Sequence, residues 1–346
     1  MTLSPIAPAL LEWFNANKRI LPFRQDPTPY HIWVSEIMLQ QTRVSAAIPY
    51  YLRFIEELPD IPALAACDPQ RLNKLWEGLG YYSRVRNMQK AAQQVCRDYG
   101  GQLPADLKAL KSLPGIGDYT AGAVASIGFG IPAPAVDGNV LRVFSRLYND
   151  DRDITLPSTK TAYTDWVMEH QPPDKPGPYN EALMELGALV CLPGGEPLCN
   201  RCPLSHLCRA KAAGTQLDLP VKPAPKAKKL QPITLALVKS EAGWLVRQRP
   251  RKGLLAGLWE PVLWEERLTK EEAKSRLEGF LAGVEAGEPL PAARHIFTHI
   301  QWEMEGWFFT APALPLPEGY AWADRQALES LYPLPNAFKK YKPLMD

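Results

Sequence analysis

The sequence predicts two successive domains, an all-α domain followed by a smaller α+β domain. Three observations point to this. Up to about residue 220, apolar residues recur at helical spacing with no strand-like alternation of any length. A proline- and lysine-rich stretch, LPVKPAPKAKKLQP at 219–232, then interrupts the chain, and beyond it short apolar runs alternate with turn residues. At 346 residues, with 46% apolar and 22% charged residues, the chain is long and apolar enough for two or three domains, each with its own core.

Each element has a local reason. Ser4-Pro5 and Thr28-Pro29 put a capping side chain before a proline at the first helical position. Ile6, Leu10, Trp13 and Phe14, then Ile32, Trp33, Ile37 and Met38, carry the helical spacing that follows. The 35 prolines, about twice their usual frequency, predict short elements and many enforced turns. The 219–232 stretch reads as an extended, semi-rigid, positively charged linker. After it, ITLALVKS, GWLVRQRP, WEPVLW and QWEMEGWFFTA read as strands, and residues 268–281 as one amphipathic helix capped by Thr269. The domains expected are therefore 1–218, a linker at 219–232, and 233–346.

Charge and targeting signals narrow the function classes. The net charge of +2 hides two nearly neutral blocks: residues 1–220 hold 21 basic and 22 acidic residues, and residues 231–346 hold 14 and 15. Any nucleic-acid binding must rest on local geometry and not on a global positive field. The longest uncharged stretch, Tyr119 to Val136, is interrupted by Gly122, Gly128, Gly130, Pro132 and Pro134, so it is no membrane span. The N-terminus lacks a basic region before its apolar run and carries Glu12 inside it, so no signal peptide is expected. These features predict a soluble, cytoplasmic protein.

Four of the six cysteines fall within 18 residues, as C-x7-C-x2-C-x5-C: Cys191, Cys199, Cys202 and Cys208. In a chain of this size without a signal peptide, that array points to a metal centre and not to disulfides. Four close thiolates suit a [4Fe–4S] cluster or a structural zinc, and spacing alone does not choose between them. His206 reads as a solvated loop residue.

Three further segments carry chemistry. In LKSLPGIGDYTAGAVA, residues 110–125, an apolar helix ends, a turn follows, and a small-residue helix begins near Asp118. Gly115 and Gly117 would let main-chain N–H groups approach an anion at that helix start, although the same pattern also makes an ordinary packing joint. Glu36 lies among Trp33, Val34, Ile37 and Met38, with Leu39 and Gln40 on its face. Desolvation there favours the protonated carboxyl, an acid near neutral pH. Asp137, in APAVDGNVLRVF, reads as a helix N-cap, and the helix N-terminus is expected to keep it ionised with one oxygen left for a substrate. One protonated and one ionised carboxyl is the pair that glycoside cleavage needs.

Taken in order, SEIMLQQTRV, LPGIGDYTAGAVAS, VDGNVLRV and the four-cysteine loop resemble the helix-hairpin-helix DNA glycosylases that carry an iron–sulfur cluster, and among them the adenine glycosylase (MutY) family. The resemblance spans nearly the whole chain, with a helix-hairpin-helix at 106–128, a cluster loop at 191–208 and a Nudix-like C-terminal domain. It implies a monomer that acts on double-stranded DNA and removes adenine opposite 8-oxoguanine (and opposite guanine) in base excision repair. Glu36 takes the place of the acid that protonates adenine N7, Asp137 that of the carboxylate facing the sugar cation, and Tyr119 and Asn139 assist. Arg19, Arg24, Leu39 and Glu181 match the pocket for the flipped adenine, and Gln41, Thr42, Leu79 and Tyr81 match residues that wedge into the duplex. Gly115 and Gly117 would hold phosphate, the four cysteines a [4Fe–4S] cluster, and Phe297-Thr298-His299 would inspect the 8-oxoguanine.

Departures from the family pattern also carry information. Bifunctional relatives of the endonuclease III type have a nucleophilic lysine where this chain has Tyr119, so a monofunctional enzyme leaving an abasic site is implied. The first cysteine gap is seven residues and not six, with Pro193-Gly194-Gly195 available to absorb the extra one, and Phe23 replaces a usual tryptophan. No Arg-Glu dipeptide occurs anywhere, so the C-terminal domain lacks the metal-binding signature of a Nudix hydrolase and reads as a recognition module. The rival readings are a glycosylase/lyase, a nucleotide pyrophosphatase and an iron–sulfur DNA-binding module without catalysis.

Overall fold

The computed structural model describes residues 5–224 and 227–345, so Ser4 and linker residues 225–226 lie outside the described residues. Packing divides the chain into two compact units. The first runs to Ala66 and resumes over Asn87–Ala224; the second joins Cys67–Arg86 to the block after Ala224. This departs from a continuous helical domain over 1–218. The segment 67–86 is drawn to the C-terminal block by hydrogen bonds from Lys74 Nζ to Leu328 O (2.8 Å), Asn336 Nδ2 to Gly78 O (2.8 Å) and Arg86 Nη1 to Ala256 O (3.0 Å).

The first unit is helical, and among the described residues no strand precedes Lys229. Helix Ile6–Asn17 begins just after Pro5. Helix Pro29–Leu39 starts on its proline, with Thr28 Oγ1 accepting from His31 N. The core packs Leu10 and Phe14 against Phe144, Tyr163, Tyr179 and Leu183. That packing fixes helices Gly138–Tyr148 and Pro176–Leu189 against each other.

The hairpin lies as expected. Helix Leu107–Lys111, capped by Asp106, ends in a turn where Gly115 has φ +78°, and helix Asp118–Ala123 follows and widens into a π turn at Val124–Gly128. Gly122 is dictated by contact: a Cβ there would sit 1.8 Å from Pro134 O, so the loop leading to Asp137 lies directly on this helix.

In the second unit helix Pro69–Leu75 is capped by Asp68. The C-terminal block is a seven-stranded sheet: β1 Lys229–Ser240, β2 Gly243–Gln248, β3 Trp259–Trp264, β4 Glu285–Pro289, β5 Ala293–Ile296, β6 Ile300–Thr310 and β7 Tyr320–Ala323. The order is β4-β6-β1-β3-β2-β7, with β5 also on β6, and β1 and β6 run parallel from Lys229↔Ile300 to Lys239↔Thr310. β1 therefore takes up the last four linker residues, since Lys229–Pro232 pair with β6 as fully as the apolar run does. Alternate residues of β1 fill opposite faces. Ile233, Leu235 and Leu237 pack with Trp302, Phe338 and Tyr341; Ala236 and Val238 pack with Phe309 and with Ala273 and Leu277. The last two lie on helix Lys270–Glu278, which has the expected Thr269 cap, completed by Glu272, but stops at Gly279, four residues before Gly283 turns the chain at φ +74°.

Candidate active site

Glu36 sits on a helix buried along its length from Ile32 to Met38, and only 7% of its surface is exposed. Burial pushes its carboxyl up to about 7; the neighbouring carboxylates of Asp137 and Glu181 add to the rise, while a hydrogen bond from the Tyr119 hydroxyl and the Arg24 charge oppose it. The Tyr119 hydroxyl also lies 3.1 Å from Met184 Sδ. Its own pKa is raised well above the ordinary tyrosine value, first by burial and then by the two carboxylates, so it stays a neutral donor.

Asp137 is the N-cap of helix Gly138–Tyr148: its Oδ1 accepts from Val140 N (2.8 Å) and its Oδ2 from Asn139 Nδ2 (2.7 Å). Both oxygens are therefore engaged, and a ligand must use the remaining lone pairs. Burial raises its carboxyl above the usual aspartate value despite these bonds and the nearby Arg142. The capping bonds favour the ionised form, as the sequence reading expects, while desolvation works against them. Asn139 is fixed in turn by Arg142, whose Nη2 donates to Asn139 Oδ1 (2.9 Å) and to Gly187 O (2.8 Å), while its Nε donates to Cys191 O (2.7 Å). Gly187 makes room, since a Cβ there would approach Asn139 Cβ to 2.5 Å.

Arg19 and Arg24 do not stand free toward a ligand. Arg19 pairs with Glu185 through Nε (2.8 Å) and Nη2 (2.9 Å); Arg24 bonds Glu181 Oε1 (2.8 Å) and Glu185 Oε2 (3.0 Å). Glu185 is 1% exposed. Burial would raise its carboxyl, yet the hydrogen bonds from Arg19 and Arg24 bring it down to about 2. Glu181 is instead raised by burial, which exceeds the effect of Arg24. Glu185 is a site residue that the sequence reading missed. Its signal was its place one helical turn after Glu181 on an apolar helix.

An open cavity of about 610 Å³ is lined by Tyr119 and Asp137, with Lys111, Asp118 and Lys160 also on its wall. Gly117, the N-cap residue before Asp118, has open space where a Cβ would stand. Of the other expected residues of this unit, Leu39 and Thr42 are half-buried, and Gln41 is exposed with φ +57°.

Cys191, Cys199, Cys202 and Cys208 line one cavity, and His206 is exposed. Residues 193–196, within the first cysteine gap, are exposed, with Gly195 at φ +68°. Burial pushes the Cys202 thiol up to about 12, and the other three cysteines add to the rise. Arg146 reaches the same place, Nη1 lying 3.3 Å from Cys191 Sγ. Among the described residues no three His, Cys, Asp or Glu side chains are grouped to hold a single metal ion. As a donor set, four cysteines around one cavity suit a [4Fe–4S] cluster or a structural zinc.

In the second unit, Leu79 is 8% exposed and Tyr81 48% exposed, so of the two it is Tyr81 that presents its ring at the surface. Phe297, Thr298 and His299 form the turn between β5 and β6. Phe297 packs edge-on against Trp302 at 4.9 Å and His295 at 4.5 Å, while Thr298 and His299 are exposed.

Comparison with known proteins agrees with this geometry. Residues 34–168 match the HhH-GPD superfamily of base excision DNA repair proteins, and residues 233–342 match the NUDIX domain. Among solved structures, a thermostable thymine-DNA glycosylase superposes with TM-score 0.55 at 28% identity, covering 60% of this chain and 95% of that one. Endonuclease III trapped on DNA superposes with TM-score 0.51 at 26% identity, over 60% and 96%. The fold and site thus define a helix-hairpin-helix base-excision protein with a C-terminal Nudix-like domain. The adenine DNA glycosylase of Mus musculus is 36% identical over 90% of this chain and 72% of its own length, and that of Homo sapiens 35% identical over 92% and 70%. That of Schizosaccharomyces pombe is 29% identical over 98% and 89%. The chain belongs to the adenine DNA glycosylase family.

Proposed function

We propose that the protein is a monofunctional, monomeric glycosylase that removes adenine paired with 8-oxoguanine from double-stranded DNA and leaves an abasic site. The observation that carries this reading is the buried Glu36, with a carboxyl at about 7, beside the capped Asp137. An acid with that value is half protonated near neutrality, where proton donation and availability are balanced. Neither carboxyl reaches a base stacked in a duplex, so the adenine is flipped out, at a cost of roughly a few kcal/mol. Glu36 then gives its proton to N7, the C1′–N9 bond breaks with its electron pair leaving on the base, and the sugar becomes an oxocarbenium ion. That positive charge lowers the proton affinity of Asp137, whose carboxylate stabilises it. Water adds at C1′ and loses its proton to a carboxylate.

Tyr119 supports the monofunctional outcome. A neutral phenol bonded to Glu36 orients the acid and, unlike a lysine, forms no Schiff base with the sugar. Glu181, held through Oε1 by Arg24, has its other carboxyl oxygen available for the edge of the flipped base. The four cysteines would hold a [4Fe–4S] cluster, which when bound cross-links the loop whose Cys191 carbonyl anchors Arg142. We assign the reading of the opposite base to the exposed Thr298 and His299.

The test is a labelled duplex with one adenine opposite 8-oxoguanine, beside an A·T control. Strand breakage only after alkali and only for the lesion duplex supports the reading. Breakage without alkali would restore the lyase alternative. No breakage at all would leave a binding module.

A further inference from the structure

Tyr81 is an exposed aromatic in a conformation that side chains disfavour, with φ +47°, following Gly78 at φ +104° and Gly80 at φ +71°. Such a residue persists only where its surroundings over-determine it, and here they do. Leu79 O and Gly80 O accept from Arg84 Nη2 (3.2 Å each), and Gly80 O also accepts from Trp76 Nε1 (3.0 Å). The Arg84 guanidinium lies 5.6 Å from the centre of the Tyr81 ring and 5.3 Å from that of Trp76.

Those contacts are local, but three others come from far along the chain. Asn336 Nδ2 donates to Gly78 O (2.8 Å), Lys342 pairs with Glu77, which Lys74 also holds, and the Tyr81 and Thr298 hydroxyls share a hydrogen bond (2.9 Å). Every carbonyl from Gly78 to Gly80 is thus taken, and the acidic side chain before them is clamped. A rigid, exposed ring of this kind is suited to enter a base stack, because it loses little freedom on insertion and offers a π face to any base.

We propose that Asn336 and Lys342 are positioning residues for Tyr81 as a base-stack wedge. They hold residues 77–81 from the C-terminal block, so that block sets how readily the duplex is opened as well as what is read opposite the adenine. Neither residue touches the base or the reacting atoms. The inference rests on the function proposed above.

The test uses the full-length protein with its metal centre, comparing wild type with Asn336→Leu and Lys342→Met. Single-turnover adenine release is measured on two lesion duplexes, one flanked by G·C pairs and one by A·T pairs. A mis-set wedge matters most where stacking is strongest. The variants should slow by about tenfold with G·C flanks and by about twofold with A·T flanks. Equal slowing in both contexts would assign the two residues a merely structural role and overturn the proposal, and unchanged rates would overturn it as well. A wild type that releases no adenine from either duplex would refute the proposed function itself, whereas an active wild type with context-independent variants would refute only the wedge clamp.

Discussion

Glu36→Gln should abolish adenine release and at the same time stabilise the protein at alkaline pH. A carboxyl raised from 4.5 to about 7 by burial holds its proton in the fold after the unfolded chain has lost it. Native stability therefore falls as pH rises from 4.5 to about 7 and levels off above that, once the buried group has ionised as well. At about 1.4 kcal/mol per pH unit, the ionised group costs about 3 kcal/mol above pH 7. The amide has no such cost and still accepts from the Tyr119 hydroxyl. Asp137 and Glu181 remain in both proteins, so their own titration largely cancels in the comparison. Thermal unfolding of wild type and variant at pH 5 and pH 8 measures the difference. The variant should gain roughly 6–12 °C on wild type between the two pH values. Parallel behaviour, or a variant that loses ground at pH 8, would refute the claim that the fold holds Glu36 against its ionisation.

Other perturbations test other parts of the site. Gly187→Ala forces Asn139 away from Asp137; it should cost about 1–3 kcal/mol of stability and slow single-turnover release, and normal release would deny Asn139 a role. Glu185→Gln leaves two guanidinium groups without their shared carboxylate; denaturant titration should show a loss of about 3 kcal/mol, and a loss below about 0.5 kcal/mol would contradict the paired arrangement. The purified protein should be yellow-brown, absorbing broadly near ~400 nm; a colourless protein with stoichiometric zinc would contradict the cluster.

Much of the site was legible because its determinants are local. The apolar neighbours of Glu36 announce its burial, the Ala/Pro run before Asp137 announces a cap, and four cysteines in one loop announce a metal centre. The long strands of the sheet also read directly, since β1, β2, β3 and β6 carry apolar runs or alternation. β4, β5 and β7 were missed, because EAGEP, ARHI and YAWA are short and their pairing is supplied by neighbours. The burial that raises the Asp137 carboxyl was not legible, because the cap is local while the burial comes from remote chain. The attachment of Cys67–Arg86 to the C-terminal block was invisible for the same reason: Asn336 and Lys342 find partners more than 250 residues away. Deleting the C-terminal block would remove those partners along with the proposed lesion reader, so point variants separate the two roles more cleanly.

The central claim is that Glu36 delivers the proton that releases adenine. Single-turnover release from a duplex with adenine opposite 8-oxoguanine, followed from pH 6 to pH 8, tests it most directly. Release should fall about tenfold over that range, with a midpoint near 7, and Glu36→Gln should bind the duplex yet release nothing. A flat profile, or turnover retained in the variant, would contradict the account.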